Sequence, residues 1–153
     1  MATTKGTSTQ ADETSEWTDE ERAAMKERAA ELRRAGGRGA AKKSEEAQAC
    51  LDKIAEMPPS DRVLAERIHA IVTATAPDLD AKTWYGMPAY ARDGKVVCFF
   101  KPAEKFKARF ATLGFEDAAN LDDGGMWPTS FGVTKLTKAD EKRIADLVRR
   151  ATS

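Results

Sequence analysis

The sequence predicts an α+β fold, with a small antiparallel sheet of about four strands packed against helices and an N-terminal helical extension in front of them. Three observations carry this. Apolar residues recur at helical spacing in 44–57, 60–76 and 137–151. Aromatic and β-branched residues dominate 82–110 and 127–134, with turn residues between the runs. Strands that follow one another through short turns pair antiparallel, because a parallel pair needs a long crossover.

The extension comes first. Residues 1–16 are Thr, Ser, Gly, Asp and Glu with almost nothing to bury, and are expected to be disordered. Thr18 and Glu21 have capping-box spacing, so a helix should run from Thr18 to about Ala35, ended by Gly36-Gly37-Arg38-Gly39. Met25 and Leu32 are its only large apolar residues, so it should be solvated or weakly docked. With a basic, Gly-rich linker the extension reaches residue 43, and the compact domain occupies 44–152.

In the domain, Ala47, Cys50, Leu51, Ile54 and Met57 form the stripe of a helix capped by Ser44 and ended by Pro58-Pro59. Ser60 should cap the next helix, whose stripe is Leu64, Ile68, Ile71, Val72 and Thr75, closed by Pro77. Lys82 to Arg92 reads as one strand, at an edge or broken by a bulge, because Pro88 cannot donate to a ladder. Asp93-Gly94 is a two-residue hairpin signal that returns the chain along Lys95–Lys101, a central strand. Phe106, Ala108 and Phe110 alternate with Lys107 and Arg109 as a strand with one wet face, and Leu113–Asn120 reads as helical or irregular. Trp127–Thr134 is the last strand, with Phe131 and Val133 on one face. Thr137 and Asp140 cap a final helix with the stripe Ile144, Leu147, Val148 and Ala151.

Lys+Arg and Asp+Glu both number 25, so no net charge draws the chain to nucleic acid or an anionic membrane. No apolar run approaches the roughly 18 residues of a membrane span. Residues 1–17 lack an apolar stretch and carry Asp12, Glu13 and Glu16, which argues against a secretory or mitochondrial leader and for the cytoplasm. Cys50 and Cys98 lie in separate elements without C-x-x-C spacing, and read as buried reduced thiols.

Trp84-Tyr85-Gly86-Met87-Pro88-Ala89-Tyr90 after a Pro-terminated helix, the Asp93-Gly94 hairpin into Val96–Phe100, and a last strand feeding a capped C-terminal helix resemble the YdhG-like family, a domain of unknown function. The resemblance covers about residues 44–152. It implies a small sheet backed by helices and, from members considered frataxin-like intracellular iron chaperones, a role in iron handling.

Four groups of residues are candidates for a site. Trp84, Tyr85, Met87 and Tyr90 can line a pocket shaped by Gly86 and Pro88, although aromatics in a strand are ordinarily packing. Lys101 or Arg109 can pair an anionic ligand, although a strand with charged residues on one side is ordinarily a solvated face. Trp127 can fold over the sheet as a lid or anchor its own loop. Asp78, Asp80, Asp122 and Asp123 can meet to hold a cation such as iron through oxygen ligands, although Asp- and Gly-rich loops are ordinarily turns. His69 lies off its helix's apolar stripe and has no nucleophile motif beside it.

No phosphate-binding loop, nucleophile elbow, zinc motif or pair of catalytic carboxylates at recognisable spacing is present. The leading reading is a non-enzymatic binding domain for a small ligand or iron. The second is a protein-interaction module whose partner meets the helix at 18–35, and the third is an enzyme whose site is assembled from distant residues.

Overall fold

The computed structural model describes residues 17–34 and 39–153. Its elements follow in the order α1 (Asp19–Arg34), α2 (Ala40–Glu56), α3 (Pro59–Thr75), β1 (Asp80–Trp84), β2 (Met87–Arg92), β3 (Lys95–Lys101), β4 (Ala111–Phe115), β5 (Ser130–Val133) and α4 (Lys138–Thr152). The fold is α+β, as the sequence predicts, with five strands rather than about four. Among the described residues no helix is long and apolar enough to cross a membrane. The tail expected to be disordered, residues 1–16, lies outside the described residues.

The five strands form one antiparallel meander, each paired with its neighbour in sequence. The extra strand comes from 82–92, which is a hairpin and not one strand. Tyr85 and Gly86 take positive φ values of 52° and 74° and reverse the chain in two residues between Trp84 and Met87. Two successive left-handed residues match the twist of the flanking strands, and the Asp93-Gly94 turn is built the same way. A tyrosine at the first of these positions carries no turn signal by residue type, so the hairpin was hidden.

Pro88 is tolerated because it pairs only with Thr83 on β1, while the β3 ladder begins one residue later at Ala89↔Phe99. The strand is therefore interior, and its register shift falls between Tyr90 and Ala91. The predicted strand at 106–110 is a loop. Lys107 adopts φ 50°, Lys107 N–H donates to the Glu104 carbonyl and Ala108 N–H to that of Ala103. Pairing with β3 starts instead at Thr112, so β4 occupies part of the segment expected to be helical or irregular.

Tyr90, Cys98, Phe100, Leu113, Phe115 and Val133 point to one face of the sheet. There they meet Cys50 and Ile54 of α2, Leu64, Ile68 and Val72 of α3, and Ile144, Val148 and Ala151 of α4 in one core. On the other face the Phe99 ring lies over Gly114, where a Cβ would come within 2.2 Å of it. The helix ends are explained locally. Thr137 and Asp140 form the expected capping box of α4. Pro59 opens α3 as its first helical residue, where its missing N–H costs nothing, so Ser60 does not cap. Helix α2 starts at Ala40, four residues before the expected cap at Ser44.

Helix α1 lies against this body by different means. Its one buried apolar residue is Ala24, at 4% exposure, while Met25 and Leu32 remain exposed. Burying a residue such as Phe100 contributes about 2 kcal/mol, whereas an exposed ion pair contributes about 0–1 kcal/mol. The body is held by its core, and α1 by a short set of polar links.

Candidate functional site

Those polar links converge on the Tyr85–Gly86 turn. Glu31 of α1 accepts the Tyr85 N–H at 3.1 Å on one carboxylate oxygen and the Gly86 N–H at 3.0 Å on the other. The left-handed turn makes this possible: its two successive N–H groups are not used by the β1–β2 ladder and open on the same side. Such backbone concavities suit anions, and hydrogen bonds to a charged acceptor are stronger than neutral ones.

A lysine completes the turn's surroundings. Lys105 Nζ lies 2.7 Å from Glu27 Oε2 and 3.3 Å from the Gly86 carbonyl, and Lys53 Nζ is 3.6 Å from Glu27 Oε1. The pair sits over Gly86 itself. A Cβ there would come within 1.5 Å of Glu27 Oε2 and 2.3 Å of Lys105 Nζ, so only glycine leaves room. About two turns of α1 before Glu27, Glu20 pairs with Lys107 at 2.7 Å. That hydrogen bond holds the Glu20 carboxyl below its ordinary range and raises Lys107 in return.

The loop carrying both lysines is fixed from below. Asp61, in the first turn of α3 and 3% exposed, accepts the N–H groups of Ala103 and Glu104 at 3.1 and 2.9 Å. Phe106 lies between Lys101 and Lys105, whose ammonium groups stand 5.1 and 5.8 Å from its ring centroid. The aromatic wall is Tyr85, packed edge-on against Trp84 at 5.1 Å, and Trp84 in turn reaches Phe99. Arg28 of α1 lies over the Tyr85 ring at 5.7 Å.

Of the residues expected to bind a ligand, the structure brings Trp84 and Tyr85 to this site, with Lys101 at its margin. Met87 is buried, and Tyr90 is a core residue at 1% exposure, its hydroxyl 2.8 Å from Nδ1 of His69. The sequence presents 84–90 as one lining, but the hairpin alternation sends Tyr90 to the opposite face of the sheet from Trp84. Arg109 is exposed and stacked on Phe110 at 4.9 Å. Trp127 lines a separate hollow of about 300 Å³ with Asp123, Phe131 and Arg143, against α4.

The four aspartates are not gathered. Asp78 is exposed in the turn after α3, and Asp80 opens β1 and pairs with Lys43 at 3.5 Å. Asp122 and Asp123 lie in the loop after β4, and β2 and β3 separate that strand from β1. Among the described residues no three His, Cys, Asp or Glu side chains are arranged to hold a metal ion. The donor set does not fit a resident iron centre.

The chemistry of the remaining groups is quiet. Burial pushes the thiols of Cys50 and Cys98 up to about 12, so both are protonated and weak as nucleophiles. Burial also raises the Tyr90 hydroxyl well above its ordinary value and lowers His69, which is neutral at pH 7. What the Tyr85–Gly86 turn and Lys105 offer is recognition of an oxyanion.

The sequence pattern assigns no binding role to Glu27, Glu31 or the anchoring Asp61, and it marks Lys105 only as one of the basic residues of the run 101–110. A signal existed: Glu20, Glu27 and Glu31 are spaced by seven and then four residues and so share one face of a helix. The scarcity of large apolar residues, which marks α1 as solvated or weakly docked, masks it. Comparison with known proteins adds nothing to the geometry: no family model, no curated protein and no solved structure matches this chain.

Proposed function

We propose that this chain is a non-enzymatic binding domain of the YdhG-like type whose recognition element is the Tyr85–Gly86 turn backed by Lys105, and that the group it recognises is a carboxylate. The observation that carries the reading is the two-pronged hold of the turn on Glu31, one N–H to each oxygen. The left-handed turn, the room that the missing side chain of Gly86 leaves and the lysine beside it form a receptor for a planar anion. Helix α1 occupies that receptor from within the chain.

The test uses the full chain with Glu27→Gln and Glu31→Gln, which leaves α1 in place without its two anions at the turn. Titration with glutarate, followed through the amide resonances, is expected to shift the Tyr85 and Gly86 N–H signals saturably. The wild-type chain, whose turn is occupied, should respond at least tenfold more weakly. Tyr85 and Gly86 signals that stay still in the double variant overturn the reading.

A further inference from the structure

Resting on that reading, we infer that the partner is an acidic helix of another protein that carries the pattern Glu-x3-Ala-x2-Glu-x3-Glu and docks in the place of α1. Helix α1 displays the fit directly. Glu20, Ala24, Glu27 and Glu31 follow a 4-3-4 spacing, which keeps four side chains on one stripe. At 1.5 Å per residue the stripe from Glu20 to Glu31 spans roughly 16 Å. The body answers each position in order, with Lys107 for Glu20, Lys105 and Lys53 for Glu27, and the paired turn N–H groups for Glu31. Ala24 is the buried contact between them, where the stripe touches the body with a small side chain.

The receptor reads spacing as well as charge. The N–H pair at the turn has a fixed direction and takes one carboxylate two-pronged, whereas the lysines are flexible and accept a range of positions. An extended acidic peptide rises about 3.3 Å per residue and changes side at every residue, so it cannot present carboxylates to the turn and to Lys107 at this separation from one stripe of the same pattern. Exchange is also physically open. The polar links of α1 are partly solvated and fall with ionic strength, and the exposed Met25 and Leu32 give α1 no apolar anchor on the body. A partner with the same stripe and a larger residue able to reach the hollow at Met57, Pro58 and Pro102 would compete with it.

The experiment takes the full chain with Glu20→Gln, Glu27→Gln and Glu31→Gln, and adds a labelled synthetic peptide of residues 17–34. The peptide is expected to bind saturably, and at least tenfold more weakly to the wild-type chain. A peptide of identical composition with the glutamates of positions 27 and 31 moved two places along should lose at least tenfold. Equal binding of the two peptides overturns the helical pattern and leaves the carboxylate reading standing. Binding of glutarate but of neither peptide does the same, and binding of none of the three overturns both. Should the triple variant fail to fold by circular dichroism, the full chain with Lys105→Glu serves instead. It is expected to prefer a peptide with Glu27→Lys over the native peptide, and equal affinity for the two overturns the inference.

Discussion

The carboxylate of Glu31 and the main-chain N–H of Gly86 meet at 3.0 Å across 55 residues of sequence, and this bond ties the N-terminal helix to the first hairpin of the sheet. Gly86 contributes no side chain to it. Its value lies in a left-handed φ of 74° that exposes the N–H, and in the space that lets Glu27 and Lys105 close over the turn.

Two glycine substitutions separate those contributions. Gly86 and Gly94 both sit at positive φ, 74° and 78°, in equivalent hairpin turns, but a Cβ at Gly94 meets nothing within 4 Å. Gly94→Ala should cost only the backbone strain, about 1 kcal/mol. Gly86→Ala adds displacement of the Glu27–Lys105 pair, for a total of about 2–3 kcal/mol. Urea unfolding of the two variants checks this, together with amide exchange of Tyr85, which should accelerate in Gly86→Ala alone. Equal losses would mean that α1 does not press on the turn.

Asp61 is the buried support of the lysine loop. In Asp61→Ala the N–H groups of Ala103 and Glu104 lose their acceptor, at a cost of about 2–4 kcal/mol. Beyond the lower melting temperature, heteronuclear relaxation should show residues 102–107 gaining motion while the α4 core stays rigid. A loop that keeps its order would assign its shape to its own turn bonds rather than to Asp61.

Stability should fall with acid in two windows. His69 has a folded pKa lowered by burial, so its contribution is complete above its ordinary value of 6.5 and is lost as pH falls below it. Asp140 is held low first by the Thr137 backbone N–H, Glu141 by the Arg67 guanidinium and Glu20 by Lys107. Their contributions are complete above the ordinary values of 3.8 to 4.5 and disappear as pH falls through the lower folded ones. His69→Gln should flatten the fall in melting temperature that begins as pH drops below 6.5, and Glu141→Gln the slope below 4.5. A His69→Gln profile that matches wild type in the first window would remove His69 from this account.

Both thiols should be silent in the native chain. Cys50 and Cys98 are fully buried and titrate near 12, so a thiol reagent at pH 8 should modify them only at the rate of unfolding. Modification of either in the folded protein, faster than global opening measured by amide exchange, would reveal a local opening of α2 or β3.

Much of the fold was legible one residue at a time. The stripes Leu64–Ile68–Val72 and Ile144–Val148–Ala151, the Thr137 capping box and the Asp93-Gly94 turn are local patterns, and local patterns survive into the structure. The structure departs from the local pattern where tertiary contacts override propensity. Phe106 to Phe110 alternates like a strand, yet the Lys107 and Ala108 amides are taken by turn bonds, and the preceding Ala103 and Glu104 amides by Asp61, more than forty residues earlier. Tyr85 holds a left-handed conformation that its residue type does not announce.

By itself the sequence determined the layers: which helix faces are apolar, that the strands run antiparallel, and that the two cysteines are buried, because burial periodicity is written in neighbouring residues. Only the tertiary structure decided the site. Glu31, Gly86, Lys105 and Asp61 carry no shared motif, and each belongs to a different element. A recognition surface made of two backbone amides and one lysine depends on the direction of N–H groups and on distances of about 3 Å, which are set when α1, the hairpin and the lysine loop pack together.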